Sequence, residues 1–206
     1  MEHDWVTFAR QLRSIAQTGQ TYTTNHFELE RYRQLEVLTN QMFAVLADVP
    51  VSRVENFIIP DAGYATPKVD VRGAVFRDGK ILLVQEHRDG RWALPGGWAD
   101  VCEGPSEGVI REIFEEAGHE AINPRLVMLK DRSMHPYAYP TPDHVYKLFY
   151  LCDHVGGEFV PNTETDDARF FALDDLPPLS LGRTIAEDIH QCWAFATGEV
   201  TTVSSD

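Results

Sequence analysis

Between Gly97 and His119 the chain reads GWADVCEGPSEGVIREIFEEAGH. Glu103 follows Gly97 by six positions, and Arg111-Glu112 and Glu115-Glu116-Ala117-Gly118 complete a fixed pattern of acids. Gly104 suits an N-cap and Pro105 the first helical position, and Gly118 stands where a left-handed residue ends a helix of about three turns. On that helix Glu112, Glu115 and Glu116 fall at i, i+3 and i+4, so their carboxylates share one face, and Ile110, Ile113, Phe114 and Ala117 supply an apolar stripe. Like charges so placed cost a bare helix a few tenths of a kcal/mol per pair. The arrangement therefore calls for a cation, and hard oxygen donors suit Mg²⁺ or Mn²⁺ bridging to phosphates. Arg111 is expected to hold one or two of these carboxylates by charge-assisted hydrogen bonds. A solvated acidic helix face would explain the glutamates alone, but not Gly97, Glu103 and the Leu94-Pro95-Gly96-Gly97 entry together.

These residues match the Nudix hydrolase box, Gly-x5-Glu-x7-Arg-Glu-U-x-Glu-Glu-x-Gly-U with U apolar, except that His119 stands at the last apolar position. The chain resembles that family from Pro67 to Ala196. Leu12 to Tyr22, Glu30-Arg31-Tyr32, Gly63 to Arg72 and Leu179-Ser180-Leu181-Gly182-Arg183 extend the resemblance to a bacterial subgroup with a helical N-terminal extension, whose members include ADP-ribose and CDP-choline pyrophosphatases. The resemblance implies an α/β fold, the Nudix α/β/α sandwich with a mixed sheet, preceded by a small helical domain. It also implies metal-dependent hydrolysis of a nucleoside diphosphate linked to another moiety. Nucleoside triphosphates, dinucleoside polyphosphates or RNA are the alternative substrates, and a non-catalytic nucleotide-sugar sensor the alternative role.

Under this resemblance Glu115 and Glu116 are the main metal ligands, with Glu112 next and the Gly97 carbonyl as a further donor. Glu103 fixes the loop, and Arg111 orients carboxylates. The general base is expected outside the box, in the acidic cluster Glu164, Asp166 and Asp167, with His135 and His144 as alternatives. Tyr64, Trp98, Tyr137, Tyr139 and Tyr146 offer aromatic faces for a base, and Arg72, Lys147 and Arg183 offer positive charge for phosphate. His119 is expected at the helix C-terminus, where a partly protonated imidazole complements the dipole.

Several elements must position these groups. Residues 1–66 read as helical, with Trp5, Phe8, Ala9, Leu12, Ile15 and Ala16 on one stripe, a break from Gly19 to Asn25, then Leu29, Tyr32, Leu35, Leu38, Met42 and Leu46 on another. A short third helix is expected from Ser52 to Ile58, before Pro60. Three short helices make a poor core, so this extension should pack on the catalytic domain (67–206) or on a second copy of the chain as a homodimer. Asp78-Gly79 signals a hairpin between strands at Val69–Phe76 and Ile81–Glu86. Strands are expected near Arg125–Lys130 and Val145–Cys152, flanking a long loop from Arg132 to His144. A hairpin through Gly156-Gly157 should lead to a strand at Ala168–Ala172, followed by a helix at Arg183–Ala196 and a frayed polar tail from Gly198.

Composition narrows the classes. An apolar content of 43% over 206 residues suffices for a sizeable core, while no apolar run approaches the ~20 residues of a membrane helix. The acidic start Met1-Glu2-His3-Asp4 differs from a signal peptide, so a cytoplasmic location is expected. Cys102, Cys152 and Cys192 are odd in number and widely spaced, which points to free thiols. A net charge of -14 weighs against duplex nucleic acid, but a bound divalent ion can still draw in a small nucleotide. Residues 1–66 contain five arginines, no lysine and eight acids, a poor composition for a DNA-binding module.

Overall fold

The computed structural model describes residues 2–57, 62–139 and 141–206. Packing divides the chain into two units: residues up to Lys68 together with Tyr139–His144, and Val69–Ala138 together with Val145–Asp206.

The first unit contains α1 (Glu2–Tyr22), α2 (His26–Ala47) and α3 (Val51–Phe57). The end expected for the third helix, Ile58 before Pro60, lies outside the described residues. The Asn25 side chain caps α2 by accepting from the Phe27 and Glu28 amides. Helix α1 runs through Gly19, contrary to the expected break there. A Cβ at Gly19 would stand 2.4 Å from the Tyr32 ring, so this glycine permits close approach of the two helices. Val6, Ala9, Phe43, Ala44 and Val54 form the core. The bulkier Trp5, Phe8, Ile15 and Leu38 remain exposed. Within this unit Arg10 donates to the Thr141 carbonyl at 2.9 Å, and Arg13 pairs with Asp143 at 3.2 Å.

The second unit is built on β1 (Lys68–Arg77), β2 (Lys80–Glu86), β3 (Trp92–Ala93), α4 (Pro105–Ala117), β4 (His119–Asp131), β5 (Val145–Gly157), β6 (Thr165–Ala172), α5 (Ala186–Ala196) and β7 (Ser204–Ser205). The sheet order is β3-β2-β1-β5-β4-β7, with β6 on the other edge of β2. It is mixed: β7 runs parallel to β4, whereas β2 is antiparallel to β1, β3 and β6. Helix α4 covers one face through Val109, Ile113 and Ala117, against Val71, Val75, Leu82 and Val84. Helix α5 covers the other through Ile189 and Cys192, against Ala74, Ile81, Leu83 and Phe149. Alternate residues of β1 and β2 thus enter different cores, as the twofold period of a strand requires.

Two expectations about this unit are overturned. Gly156-Gly157 makes no hairpin: β5 stays paired with β4 as far as Gly157, and β6 pairs with the distant β2. The tail is not frayed, since Ser204 and Ser205 pair with Met128 and Leu129. The Asp206 carboxylate accepts from the Asp131 amide at 2.7 Å and contacts His135 Nε2 at 2.9 Å, fastening that edge strand.

Candidate active site

The box begins where Leu94 to Ala99 runs beside β1. Gly73 N–H donates to the Pro95 carbonyl, Val71 N–H to the Gly97 carbonyl and Ala99 N–H to the Val69 carbonyl, all within 2.9 Å. This close approach requires glycine at position 96, where φ is +140° and a Cβ would lie 2.0 Å from the Val71 oxygen. The Gly96 amide then donates to Glu116 Oε2 at 2.8 Å, joining the loop to the helix.

Helix α4 starts at Gly104, whose amide is held by the Glu107 carboxylate at 3.1 Å, and stops at Gly118 in the left-handed region. Its apolar stripe is carried by Val109, Ile113 and Ala117, while Phe114 is 57% exposed, in contrast to the expected stripe. The helix is rotated so that Glu112 and Glu116, one turn apart, are buried and Glu115 is exposed. Arg111 gathers the acids. Its Nε and Nη2 grip both oxygens of Glu103 at 3.0 and 2.9 Å, Nη1 reaches Glu112 and Glu115 at 3.0 and 2.8 Å, and Nη2 also meets Asp100 at 3.3 Å. Hydrogen bonds from Arg111 hold the Glu103 carboxyl below its usual range.

The buried carboxylates behave otherwise. Burial raises Glu112, and it pushes Glu116 up to about 8 despite the nearby Arg72 charge and the Gly96 amide. A carboxylate so placed lacks counter-charge. Among the described residues no three acidic, histidine or cysteine side chains stand close enough together to hold an ion. The donor set nevertheless fits a hard divalent cation: it is all oxygen, two of its carboxylates are buried without sufficient positive charge, and Gly97 leaves open the space above Glu112. A Cβ at position 97 would lie 3.2 Å from that carboxylate. The Gly97 carbonyl already accepts from Val71 N–H, so one lone pair is left to serve as a donor.

Arg72 does not present its fork to an open site. It is buried, its Nε and Nη2 hold Asp70 at 3.1 and 2.8 Å, and Nη1 donates to the Leu94 carbonyl at 3.1 Å. Lys147 ion-pairs with the same Asp70. Burial and the Arg72 charge lower the Lys147 ammonium to about 8, while the two cations keep Asp70 below its ordinary value against the cost of burial. On the same side of the sheet Asp188, an α5 residue, accepts from Tyr137 at 2.8 Å and from Lys130 at 2.9 Å. Tyr137 is therefore committed to this network.

Arg183 is one third exposed, and its Nε lies 3.1 Å from Glu86 Oε1. Glu164 is exposed at the rim, within electrostatic reach of Glu86. Asp166 pairs with His87 at 2.7 Å. Asp167 is turned away: it lies opposite Gln85 in regular register, one residue from Ala168 on the α4 side, so it faces the α5 side and pairs with Arg169, and the bulge follows it, setting Glu86 opposite Thr165. Trp98 bridges Asp70 of β1 and is half exposed, and Tyr146 is half-buried on β5. Tyr64, Tyr139 and His144 belong to the first unit, where both tyrosines are exposed. His135 is tied to Asp206.

Glu86 was not among the residues singled out from sequence. Its signal was there: Leu82, Val84 and Glu86 share one strand face, so an acid continues a fully buried row. Asp70 similarly precedes Arg72 and Ala74 on the opposite face of β1. The expectation of a partly protonated His119 is also corrected. It is buried, its Nδ1 lies 3.1 Å from His154 Nε2, and burial lowers its pKa, against the protonated form expected. With Arg77, Lys80, Arg169 and Phe170 it lines a cleft of about 460 Å³ at the far end of β1 and β2 from Glu86. None of the box glutamates lines that cleft, so its size does not make it the site of their chemistry.

Comparison with known proteins gives consistent matches. The NUDIX domain family matches residues 66–191, and a family described as a UDP-X-like N-terminal oligomerisation domain matches residues 3–58. The YjhB protein of Bacillus subtilis, which bears the name of an ADP-ribose pyrophosphatase, is 37% identical over 93% of this chain and 91% of its own length. A solved ADP-ribose pyrophosphatase from Streptococcus suis is 45% identical, with a TM-score of 0.62 over 68% of this chain and all of the other. A solved UDP-X diphosphatase is 33% identical, with a TM-score of 0.63 over 98% of both chains.

Proposed function

Because the chain belongs to the Nudix hydrolase family, we propose that it cleaves the diphosphate of a nucleoside diphosphate linked to a second moiety, of the ADP-ribose or CDP-choline type. The observation that carries this reading is the pair of buried, under-compensated carboxylates, Glu112 and Glu116, beside a glycine-lined loop. The names of the relatives, an ADP-ribose pyrophosphatase and a UDP-X diphosphatase, support the substrate class.

Glu112, Glu115 and Glu116, with the free lone pair of the Gly97 carbonyl, would hold Mg²⁺ or Mn²⁺. Such an ion would neutralise the diphosphate and make a bound water more acidic. The chain's own residues do the rest. Arg111 keeps Glu112 and Glu115 aligned. Arg183, ion-paired at Nε with Glu86, has further donors to offer a phosphate oxygen. Glu164, at the rim, accepts the proton from the attacking water. As the water oxygen bonds to phosphorus, the anhydride P–O bond breaks and two phosphate monoesters result. Trp98 and Tyr146 offer aromatic surface to the base. Arg72 is removed from this direct role by its buried ion pair and instead holds the Leu94 loop.

The same reading divides the chain into a helical extension, 1–66, and a catalytic domain, 67–206. The exposed Trp5, Phe8 and Ile15 of α1 support a homodimer through the extension. Free thiols at Cys102, Cys152 and Cys192 agree with a cytoplasmic location, and no helix among the described residues is long and apolar enough to cross a membrane. A phosphate-release screen with added phosphatase, over NDP-linked compounds, nucleoside triphosphates and dinucleotides with either metal, tests the assignment. Release from NDP-linked compounds that disappears in Glu116→Gln supports it, and turnover of triphosphates alone refutes it. Light scattering that shows a concentration-independent monomer would remove the homodimer.

A further inference from the structure

Glu86 is buried, with 5% exposure, yet among the described residues its Oε1 accepts no hydrogen bond. Its one charged contact is Arg183 Nε at 3.1 Å, to an Oε1 that no donor satisfies with hydrogen-bonding geometry. Buried carboxylates are ordinarily satisfied by two or more donors, because leaving one bare is costly. Among the described residues no other hydrogen bond to Oε1 makes good the deficit. The Arg72 guanidinium is within electrostatic reach, but its donors are committed to Asp70 and to the Leu94 carbonyl.

The position of Glu86 says what is missing. It follows Leu82 and Val84 on the face of β2 that α4 covers. Its cross-strand partner is Thr165, whose hydroxyl donates to the Glu116 backbone carbonyl at 2.6 Å. One residue thus adjoins both acids, on the side of the sheet where the helix carries Glu112 and Glu116. The β-bulge that skips Asp166 is the feature that brings Thr165 opposite Glu86.

We propose that Glu86 is an additional oxygen ligand of the divalent cation, binding it directly or through one bound water from the strand side, opposite the helix glutamates. This rests on the cation reading given above. It extends the donor set from one helix and its loop to β2, and it explains why an acid continues an otherwise apolar strand row. Arg183 then serves two partners: its Nε neutralises Glu86 before the ion binds, and its other donors remain for a substrate phosphate.

The test is Mn²⁺ binding to the full-length, metal-stripped protein, followed by electron paramagnetic resonance of free Mn²⁺, for wild type, Glu86→Gln, Glu116→Gln and Arg183→Gln. Glu86→Gln should weaken Mn²⁺ binding about tenfold or more, and Glu86→Asp should recover part of that loss. Arg183→Gln should bind at least as tightly as wild type, because a competing cation is gone. The proposal is overturned if Glu86→Gln binds Mn²⁺ within about twofold of wild type while KM rises, which would make Glu86 an acceptor for a substrate hydroxyl. It is also overturned if Arg183→Gln loses affinity as Glu86→Gln does, since the ion pair would then be purely structural. Loss in Glu116→Gln alone sinks the Glu86 assignment and leaves the cation reading standing. If wild type itself binds no Mn²⁺, the cation reading fails, and this proposal with it.

Discussion

Replacing Glu116 by glutamine should stabilise the metal-free protein while it abolishes turnover. Burial raises this carboxyl from an ordinary 4.5 to about 8, against the opposing influence of Arg72 and the Gly96 amide and with Glu86 and Glu112 adding repulsion. For an acid raised in the folded state, stability is fully present below the unfolded value and is lost as pH rises through the folded one. Each pH unit in that window costs about 1.4 kcal/mol, for a ceiling near 5 kcal/mol. Relaxation and water entry bring the expected cost to about 2–4 kcal/mol. Glutamine keeps the acceptor for the Gly96 amide and carries no charge. Urea unfolding of EDTA-treated wild type and variant, from pH 5 to pH 9, should therefore give curves that nearly coincide at pH 5 and diverge above pH 8 in favour of the variant. The difference cancels the self-repulsion of a chain with net charge -14. Mn²⁺ at about one hundred times its dissociation constant should then add about 2.7 kcal/mol to wild type and much less to the variant. A variant less stable than wild type at pH 8, or a difference independent of pH, would refute the reasoning.

Three further outcomes are expected. Asp70→Asn leaves Arg72 and Lys147 buried without their shared anion and should cost about 3–5 kcal/mol in urea unfolding; a loss below about 1 kcal/mol would mean that water reaches the trio. Gly96→Ala would place a methyl 2.0 Å from the Val71 carbonyl oxygen at a φ that L-residues rarely adopt, so circular dichroism melting should fall and turnover with it, whereas an unchanged enzyme would contradict the loop geometry. Asp206→Ala releases the Asp131 amide, and hydrogen exchange there should accelerate by about tenfold or more, in line with the loss of one charge-assisted bond; unaltered protection would show that β7 is held by its ladder alone.

The catalytic helix was legible because its signals are local. A proline after the cap, a left-handed glycine at the end and acids one turn apart are all within one stretch of chain, and Asp78-Gly79 similarly marks its own turn, with φ of 51° and 73°. The misread features depend on distant partners. Two adjacent glycines look like a hairpin, but β6 is claimed by β2, so Gly156-Gly157 ends a strand without reversing into its neighbour. Phe114 has the spacing of a core residue, yet Val109 and Ile113 meet the sheet and leave it outside. Three of the expected phosphate or base contacts, Arg72, Lys147 and Tyr137, proved to be bound up in buried networks: Asp70 is two residues from Arg72 but 77 from Lys147, and Asp188 is 51 residues from Tyr137. The roles of the box residues followed from type and spacing; which cation pairs with which anion did not, because that is decided by the sheet.

The membership of Tyr139–His144 in the first unit has a bearing on chimeras. Exchanging the helical extension for that of a relative by a single crossover near residue 66 would separate Arg10 from Thr141 and Arg13 from Asp143. A graft that respects the packing needs two segments, the helices and the hexapeptide from Tyr139 to His144, transferred together. Recombination that shuffles contiguous pieces of chain would tend to break this set, so the extension and that short loop should travel through a lineage as one inherited block.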